Sequence, residues 1–151
     1  MVTVEGKKVL PHVLELSFGV DRNVWAQLDL GYTRGERLVL RLPPRIAPVA
    51  VGVFPHVNKD GLPEKARALH RTLRTRFAAF YDDAGSIGRR YARQDEIGTP
   101  FCATVDHVTL EDDTVTLRER DTGKQIRIGA ADLPASLDRL LRGETAFASP
   151  A

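Results

Sequence analysis

The residue choices hardest to explain by folding alone lie between Gly85 and Asp106, in the run GSIGRRYARQDEIGTPFCATVD. Arg89, Arg90 and Arg93 carry planar guanidinium forks that suit phosphates and nucleobase edges. Gln94, Asp95 and Glu96 follow at once and supply an amide and two carboxylates, which can accept hydrogen bonds from exocyclic amines. The order of these charges opposes the helix that the run predicts. Arginines stand in its first turn and acids in its last, each costing roughly 0.3–1 kcal/mol against the helix dipole, and Arg89/Arg93 is a like-charged i,i+4 pair. Two readings are open. Arg93 pairs with Glu96 at i,i+3 and Arg90 with a carboxylate elsewhere, or the arginines bind an anionic partner near the helix start.

The element that positions them is bounded by local signals. Ser86 suits an N-cap, with a hydroxyl able to accept from a free first-turn amide, and Gly98 suits the left-handed residue that ends a helix. The run also closely resembles the anticodon-binding domain of the archaeal/eukaryotic-type, homodimeric glycyl-tRNA synthetases, whose pattern is close to GSIGRRYxRQDEIGTPFCxTVD. The resemblance is long and nearly ungapped. It implies contact between a glycine tRNA anticodon and Arg89, Arg90, Arg93, Gln94, Asp95 and Glu96. In that family the anticodon ends in two cytosines, which a carboxylate can read.

A second stretch, Glu15-Leu16-Ser17-Phe18-Gly19-Val20-Asp21-Arg22, resembles motif 3 of the class II aminoacyl-tRNA synthetases, in the glycine enzymes usually E-P/A-S-x-G-x-D-R. The resemblance assigns glycine binding to Glu15, Leu16, Ser17, Phe18 and Gly19, and ATP contacts to Gly19, Val20, Asp21 and Arg22. A carboxylate pairs with the glycine ammonium, and an arginine fork neutralises polyphosphate charge. Leu16 departs from the family's Pro or Ala. Without the family, Gly-Val-Asp-Arg reads as a capped helix start.

The elements that carry these stretches follow from periodicity. An apolar segment either side of Pro11 reads as a strand running into a helix, where Val20, Val24 and Leu28 recur at i,i+4. Trp25 on that helix suits packing against a neighbouring domain better than stacking on a base. Pro43, Pro44 and Pro48 stiffen a connection that suits a linker. Val49 to Val57 is an apolar, β-branched run, expected as a strand buried on both faces. Pro63 suits the first turn of an amphipathic helix from 63 to 77 whose core stripe is Ala66, Leu69, Leu73 and Phe77; Arg67, Arg71 and Arg74 lie opposite as a solvated face. Strands are expected in Phe77–Asp82 and Thr99–His107. Alternating runs at Thr114–Arg120 and Lys124–Ile128 around Asp121-Thr122-Gly123 predict a hairpin. A last helix runs from Leu133 to Arg142, with Asp132 as cap and Gly143 as stop.

The predicted class is therefore α/β, a mixed five-stranded sheet with flanking helices; the resemblance implies that this is the anticodon-binding fold of class II synthetases, preceded by a strand-helix remnant of a catalytic domain. The expected divisions are a motif-3 remnant and linker at 1–44, an anticodon-binding domain at 45–143 and a disordered tail at 144–151. Fourteen residues precede the motif-3-like stretch, too few for motifs 1 and 2, so the resemblance implies the C-terminal portion of a synthetase that is inactive alone. The alternative is a stand-alone, non-catalytic tRNA-binding paralogue or accessory subunit. In the full enzyme it implies glycine, ATP with Mg2+ as substrates, a glycine tRNA and a homodimer, with neither membrane nor DNA as partner.

Composition agrees with a globular chain: 42% of its 151 residues are hydrophobic and the formal charge is +2. The charge is unevenly spread. Pro63 to Arg93 holds eight Lys/Arg against three acids, and Asp95 to Asp121 eight acids against two arginines, a dipolar layout that suits a module presenting one face to a polyanion. Cys102, the one cysteine, cannot form an internal disulfide, which agrees with a reducing cytoplasm. His12, His56, His70 and His107 lack metal-ligand spacing, so no metal site is expected.

Overall fold

The computed structural model describes residues 1–148. The chain opens with an antiparallel hairpin of β1 (Val2–Val4) and β2 (Lys7–Val9), turning at Glu5 and Gly6, both with positive φ. The strand expected around Pro11 therefore lies earlier, and residues 10–19 hold no regular element. Pro11 brings no amide to extend the ladder. Helix α1 (Val20–Gly31) follows as expected, then a second hairpin of β3 (Tyr32–Arg34) and β4 (Leu38–Leu40) and a 3-10 turn at Pro44–Ile46.

The main unit is a five-stranded sheet in the order β6-β5-β7-β8-β9. Its strands are β5 (Val51–Pro55), β6 (Ala79–Tyr81), β7 (Phe101–Val105), β8 (Thr114–Glu119) and β9 (Gln125–Gly129). The first three are parallel and the last two antiparallel, which is the mixed sheet expected. Helix α2 (Leu62–Leu73) joins β5 to β6, and α3 (Ile87–Ile97) joins β6 to β7. A short α4 (His107–Asp112) precedes β8, and α5 (Leu133–Arg142) follows β9.

Alternation of side chains across the pleat divides the sheet's faces. On one, Val51, Val53, Phe101, Ala103, Val105, Val115 and Leu117 meet Leu62, Ala66 and Leu73 of α2 and Leu133 and Leu137 of α5 in a single apolar core. Every residue of β5 and β7 is buried, so within the apolar run at 49–57 the strand occupies 51–55 and is covered on both sides. The other face carries Phe54, Cys102, Thr104 and Arg118, against which α3 places Tyr91; its ring meets Phe54 edge-on at 5.5 Å and lies 4.7 Å from the Arg118 guanidinium. Cys102 is 1% exposed, and burial pushes its thiol up to about 12, leaving it inert as a nucleophile.

Several boundaries differ from expectation for local reasons. Helix α2 stops at Leu73 rather than Phe77, because the chain tightens into turns closed by Arg76 N–H and Phe77 N–H onto the Leu73 carbonyl. The residues after β7 form α4, started by a capping box in which Asp106 accepts from the Thr109 amide and Thr109 accepts from the Asp106 amide. The proline-rich stretch is fastened to the sheet unit: Arg45 Nη2 donates to Arg142 O at 2.6 Å, and Arg120 Nη2 donates to Leu42 O at 2.9 Å. Of the expected tail at 144–151, residues 149–151 lie outside the described residues, and Phe147 stacks on Phe101 at 6.1 Å.

Candidate nucleic-acid interface

Helix α3 begins after Ser86 and ends at Gly98, the two residues expected to bound it. Gly98 has φ 85°, and a Cβ there would come within 3.0 Å of Leu40 O, so glycine is required twice over. Ser86 occupies the N-cap position, but its hydroxyl makes no capping bond; its carbonyl accepts from the amides of Arg89 and Arg90.

The six residues singled out on α3 separate by face. Arg89, Arg93 and Glu96 fall within about 60° of one another at 100° per residue and are exposed. Among the described residues Arg89 and Glu96 have no ion-pair or hydrogen-bond partner, while Arg93 donates to Asp82 Oδ2 through Nε at 2.8 Å and to Ala84 O at 2.7 Å. Arg93 thus pairs with Asp82 rather than with Glu96, which removes much of the Arg89/Arg93 repulsion.

Arg90, Gln94 and Asp95 face inward, at 3%, 1% and 1% exposure. Arg90 donates to the carbonyls of Pro55, Asp83 and Gly85, the last at 2.7 Å, so its partners are backbone oxygens and not the carboxylate expected. Gln94 Oε1 accepts from Thr99 Oγ1 at 2.6 Å. Asp95 accepts both Arg118 Nη groups, at 2.9 and 3.0 Å, and Arg37 Nη1. Expected as direct contacts, these three instead hold α3 to the sheet and to the β3–β4 hairpin. The partners of Arg90 and Asp95 account for two of the four charges that oppose the helix dipole, and Arg89 and Glu96 are the other two.

Sequence reasoning missed Arg37, Arg118 and Arg120. Burial works against the Arg118 charge, but the hydrogen bonds and charge of Asp95 outweigh it and raise its pKa. Arg120, 2% exposed, donates to Gly98 O at 2.7 Å and pairs with Asp121 at 2.8 Å. An arginine alternating with apolar residues in β8 was the one available signal, since a strand residue facing a helix-covered side must bury its charge. On the same side of the sheet Arg127 grips Asp106 at 2.7 and 2.8 Å, and those bonds hold the carboxyl down to about 2 despite partial burial.

The second predicted cluster is wholly exposed. Ser17, Gly19, Val20, Asp21 and Arg22 line one open hollow together with Trp25. Ser17 Oγ donates to Glu15 Oε1 at 2.9 Å, which ties Glu15 to its rim, and Asn23 donates to Gly19 O to start α1. Leu16 and Phe18 are 75% and 78% exposed. The i,i+4 stripe of α1, Val20, Val24 and Leu28, faces solvent with Trp25 beside it, so the periodicity marks the helix, and no element among the described residues covers the stripe. Among the described residues no cluster of three or more His, Cys, Asp or Glu could hold a metal ion, and no helix is long and apolar enough to cross a membrane.

The family model described as "Anticodon binding domain" matches residues 50–140, the whole five-stranded unit. A glycine–tRNA ligase of Aeropyrum pernix is 52% identical over 141 residues, covering 91% of this chain and 24% of that protein. Those of Methanothermobacter thermautotrophicus and Methanocaldococcus jannaschii are 50% and 48% identical, over 91% and 92% of this chain and 25% and 24% of their own lengths. The chain thus spans about a quarter of the curated relatives it matches.

Proposed function

Because the chain belongs to the family of anticodon-binding domains, we propose that it supplies tRNA anticodon recognition to a glycine–tRNA ligase, with the outward stripe of α3 meeting the anticodon loop. The observation that carries this reading is the 52% identity, over nearly the whole chain, to a protein named glycine–tRNA ligase. On that stripe Arg89 has five unengaged donors for a phosphate or a guanine edge, and Glu96 has a free carboxylate for the exocyclic amine of cytosine. Arg90, Gln94 and Asp95 are positioning residues that fix the angle of α3. Arg93, already neutralised by Asp82, contributes through its remaining donor capacity.

The N-terminal stretch fits the same enzyme. Glu15 and Ser17 would orient the glycine ammonium, with Leu16, Phe18 and Gly19 shaping the surroundings. Gly19, Val20, Asp21 and Arg22 would lie along ATP, whose phosphates arrive with Mg2+. These groups are open to solvent here, and the exposed stripe of Val20, Val24, Trp25 and Leu28 suits docking against the remaining three-quarters of such an enzyme, which acts as a cytoplasmic homodimer. In ligation the glycine carboxylate would displace pyrophosphate from ATP to give glycyl-AMP, and the tRNA 3′-terminal hydroxyl would then take the glycyl group with release of AMP. A stand-alone RNA-binding module is the second reading, favoured by the complete core that the five-stranded unit builds for itself.

The test is a pair of variants on the outward stripe, Glu96→Gln and Arg89→Ala, assayed for binding to a glycine tRNA transcript and to one with both anticodon cytosines replaced. Loss of about 1–3 kcal/mol of discrimination in Glu96→Gln, the usual worth of a specific base contact, is expected. Unchanged discrimination in both variants would remove α3 as the reader.

A further inference from the structure

We propose that the start of α3 is a binding site for one phosphodiester of the RNA, formed by Ser86, the amides of Ile87 and Gly88, and Arg89, beside the loop at His56–Asn58. The proposal rests on the reading of this chain as an RNA-binding domain, and it concerns a backbone contact separate from any base contact by Glu96.

Four features meet there. Helix α3 has eleven residues, and its N-cap hydroxyl is unused. Among the described residues the Ile87 and Gly88 amides have no acceptor, so two dipole-aligned donors point out of the helix end. Gly88 stands inside the first turn, where glycine costs about 1 kcal/mol relative to alanine, yet a Cβ there would meet nothing within 4 Å. Neither packing nor backbone conformation within the chain asks for glycine at 88; close approach of a ligand to the backbone does. Gly85, with φ 71°, turns the chain into this end.

The independent observation is Arg90. It is 3% exposed, it lines the hollow formed with His56, Val57, Asn58, Gly85, Ser86 and Ile87, and its Nε is the one buried side-chain nitrogen left without a partner among the described residues. Its two Nη groups are spent on the carbonyls of Pro55, Asp83 and Gly85. The guanidinium therefore fixes the loops on both sides of the hollow while its positive charge stays uncompensated by any carboxylate. Of the acids nearby, Asp82 is held by Arg93 and Asp83 by Arg67 at 2.7 Å, so neither is left to fill the hollow. A buried cation, free helix-start amides, an idle hydroxyl and the exposed Arg89 make an anion site whose natural occupant in this setting is an RNA phosphate.

The test uses the 151-residue chain and its Gly88→Asp variant. Aspartate in the first helical turn suits the helix dipole and meets no neighbour, so the fold is kept, but its carboxylate occupies and repels a phosphate. Amide NMR shifts on titration with inorganic phosphate, and binding of a glycine anticodon stem-loop across a salt series, are measured on both proteins. The expected results are phosphate-induced shifts at Ser86, Ile87 and Gly88 that disappear in the variant. A log–log salt slope for RNA should also fall by about 0.7, the value for one single-strand phosphate contact, with discrimination between native and cytosine-replaced stem-loops retained. Phosphate shifts without stem-loop binding would keep the anion site and reject the anticodon reading. Stem-loop binding with an unaltered salt slope in Gly88→Asp and no phosphate shifts would overturn the site and leave the anticodon reading standing.

Discussion

Removing the Asp95 carboxylate should destabilise this chain more than removing any surface charge, and removing its main partner as well should restore much of the loss. Asp95 is 1% exposed and receives two hydrogen bonds from Arg118 and one from Arg37. In Asp95→Ala the Arg118 guanidinium, 7% exposed and lying over the Tyr91 ring, has no counter-ion. A buried charge stripped of its partner costs about 3–5 kcal/mol. Arg37→Ala is milder, because Arg37 is 38% exposed and Asp95 keeps the bidentate pair with Arg118; roughly 1–2 kcal/mol is expected from one partly screened charged hydrogen bond. In Asp95→Ala/Arg118→Met no charge remains stranded and the thioether can pack on Tyr91, so the double variant should lose about 1–2 kcal/mol less than Asp95→Ala alone. Urea unfolding followed by far-UV circular dichroism gives each midpoint and slope. A loss under about 1 kcal/mol in Asp95→Ala, or strictly additive losses in the double variant, would refute the view that this network anchors α3. The same magnitudes make Asp95 a poor probe of RNA specificity, which is why Glu96 serves that purpose.

Three further outcomes follow from the geometry. Gly98→Ala should cost about 1–3 kcal/mol in thermal or urea unfolding, because it combines a φ of 85° with a Cβ 3.0 Å from Leu40 O; a neutral effect would mean that the junction of α3 with β4 yields easily. Asp106, held down to about 2 from 3.8 chiefly by hydrogen bonds from Arg127, stabilises the fold at any pH above about 4, and that contribution is lost as pH falls toward 2. Fully realised it would be roughly 2.4 kcal/mol; its solvent access brings this to about 1 kcal/mol. Arg127→Met should flatten the stability-versus-pH curve in that window, and an unchanged acid limb would contradict the pairing. The exposed stripe of Val20, Val24, Trp25 and Leu28 with Phe18 should make the chain self-associate in a concentration-dependent way, and light scattering that shows a clean monomer at high concentration would argue against it.

What could be read from the sequence was what local chemistry decides. Ser86 and Gly98 bounded α3 because caps are set by neighbours along the chain, the run at 49–57 announced a buried strand, and Asp121-Thr122-Gly123 announced the hairpin of β8 and β9. The α4 turn was missed since its signal, Asp106 and Thr109 in a capping box, is short and overlaps an apolar strand. The inward half of α3 was legible as chemistry but not as geometry. Arg90 reaches the Pro55 carbonyl across 35 residues, and Asp95 meets Arg37 across 58 and Arg118 across 23. No periodicity in α3 says that a guanidinium will end against a carbonyl of another strand, so the polar side chains that looked available for a partner included three, two of them charged, that the fold uses itself. Helical geometry applied to the same six residues does separate the outward stripe of Arg89, Arg93 and Glu96, once the inward side is known from Tyr91.

The most direct test of the central claim is the affinity of the 151-residue chain for a glycine tRNA transcript and for the same transcript with both anticodon cytosines replaced, each at two salt concentrations. Anticodon reading predicts tighter binding to the first transcript at both salts, with the ratio between the two nearly independent of salt while each affinity falls. Equal affinities that drop together with salt would show phosphate contact alone and contradict the claim.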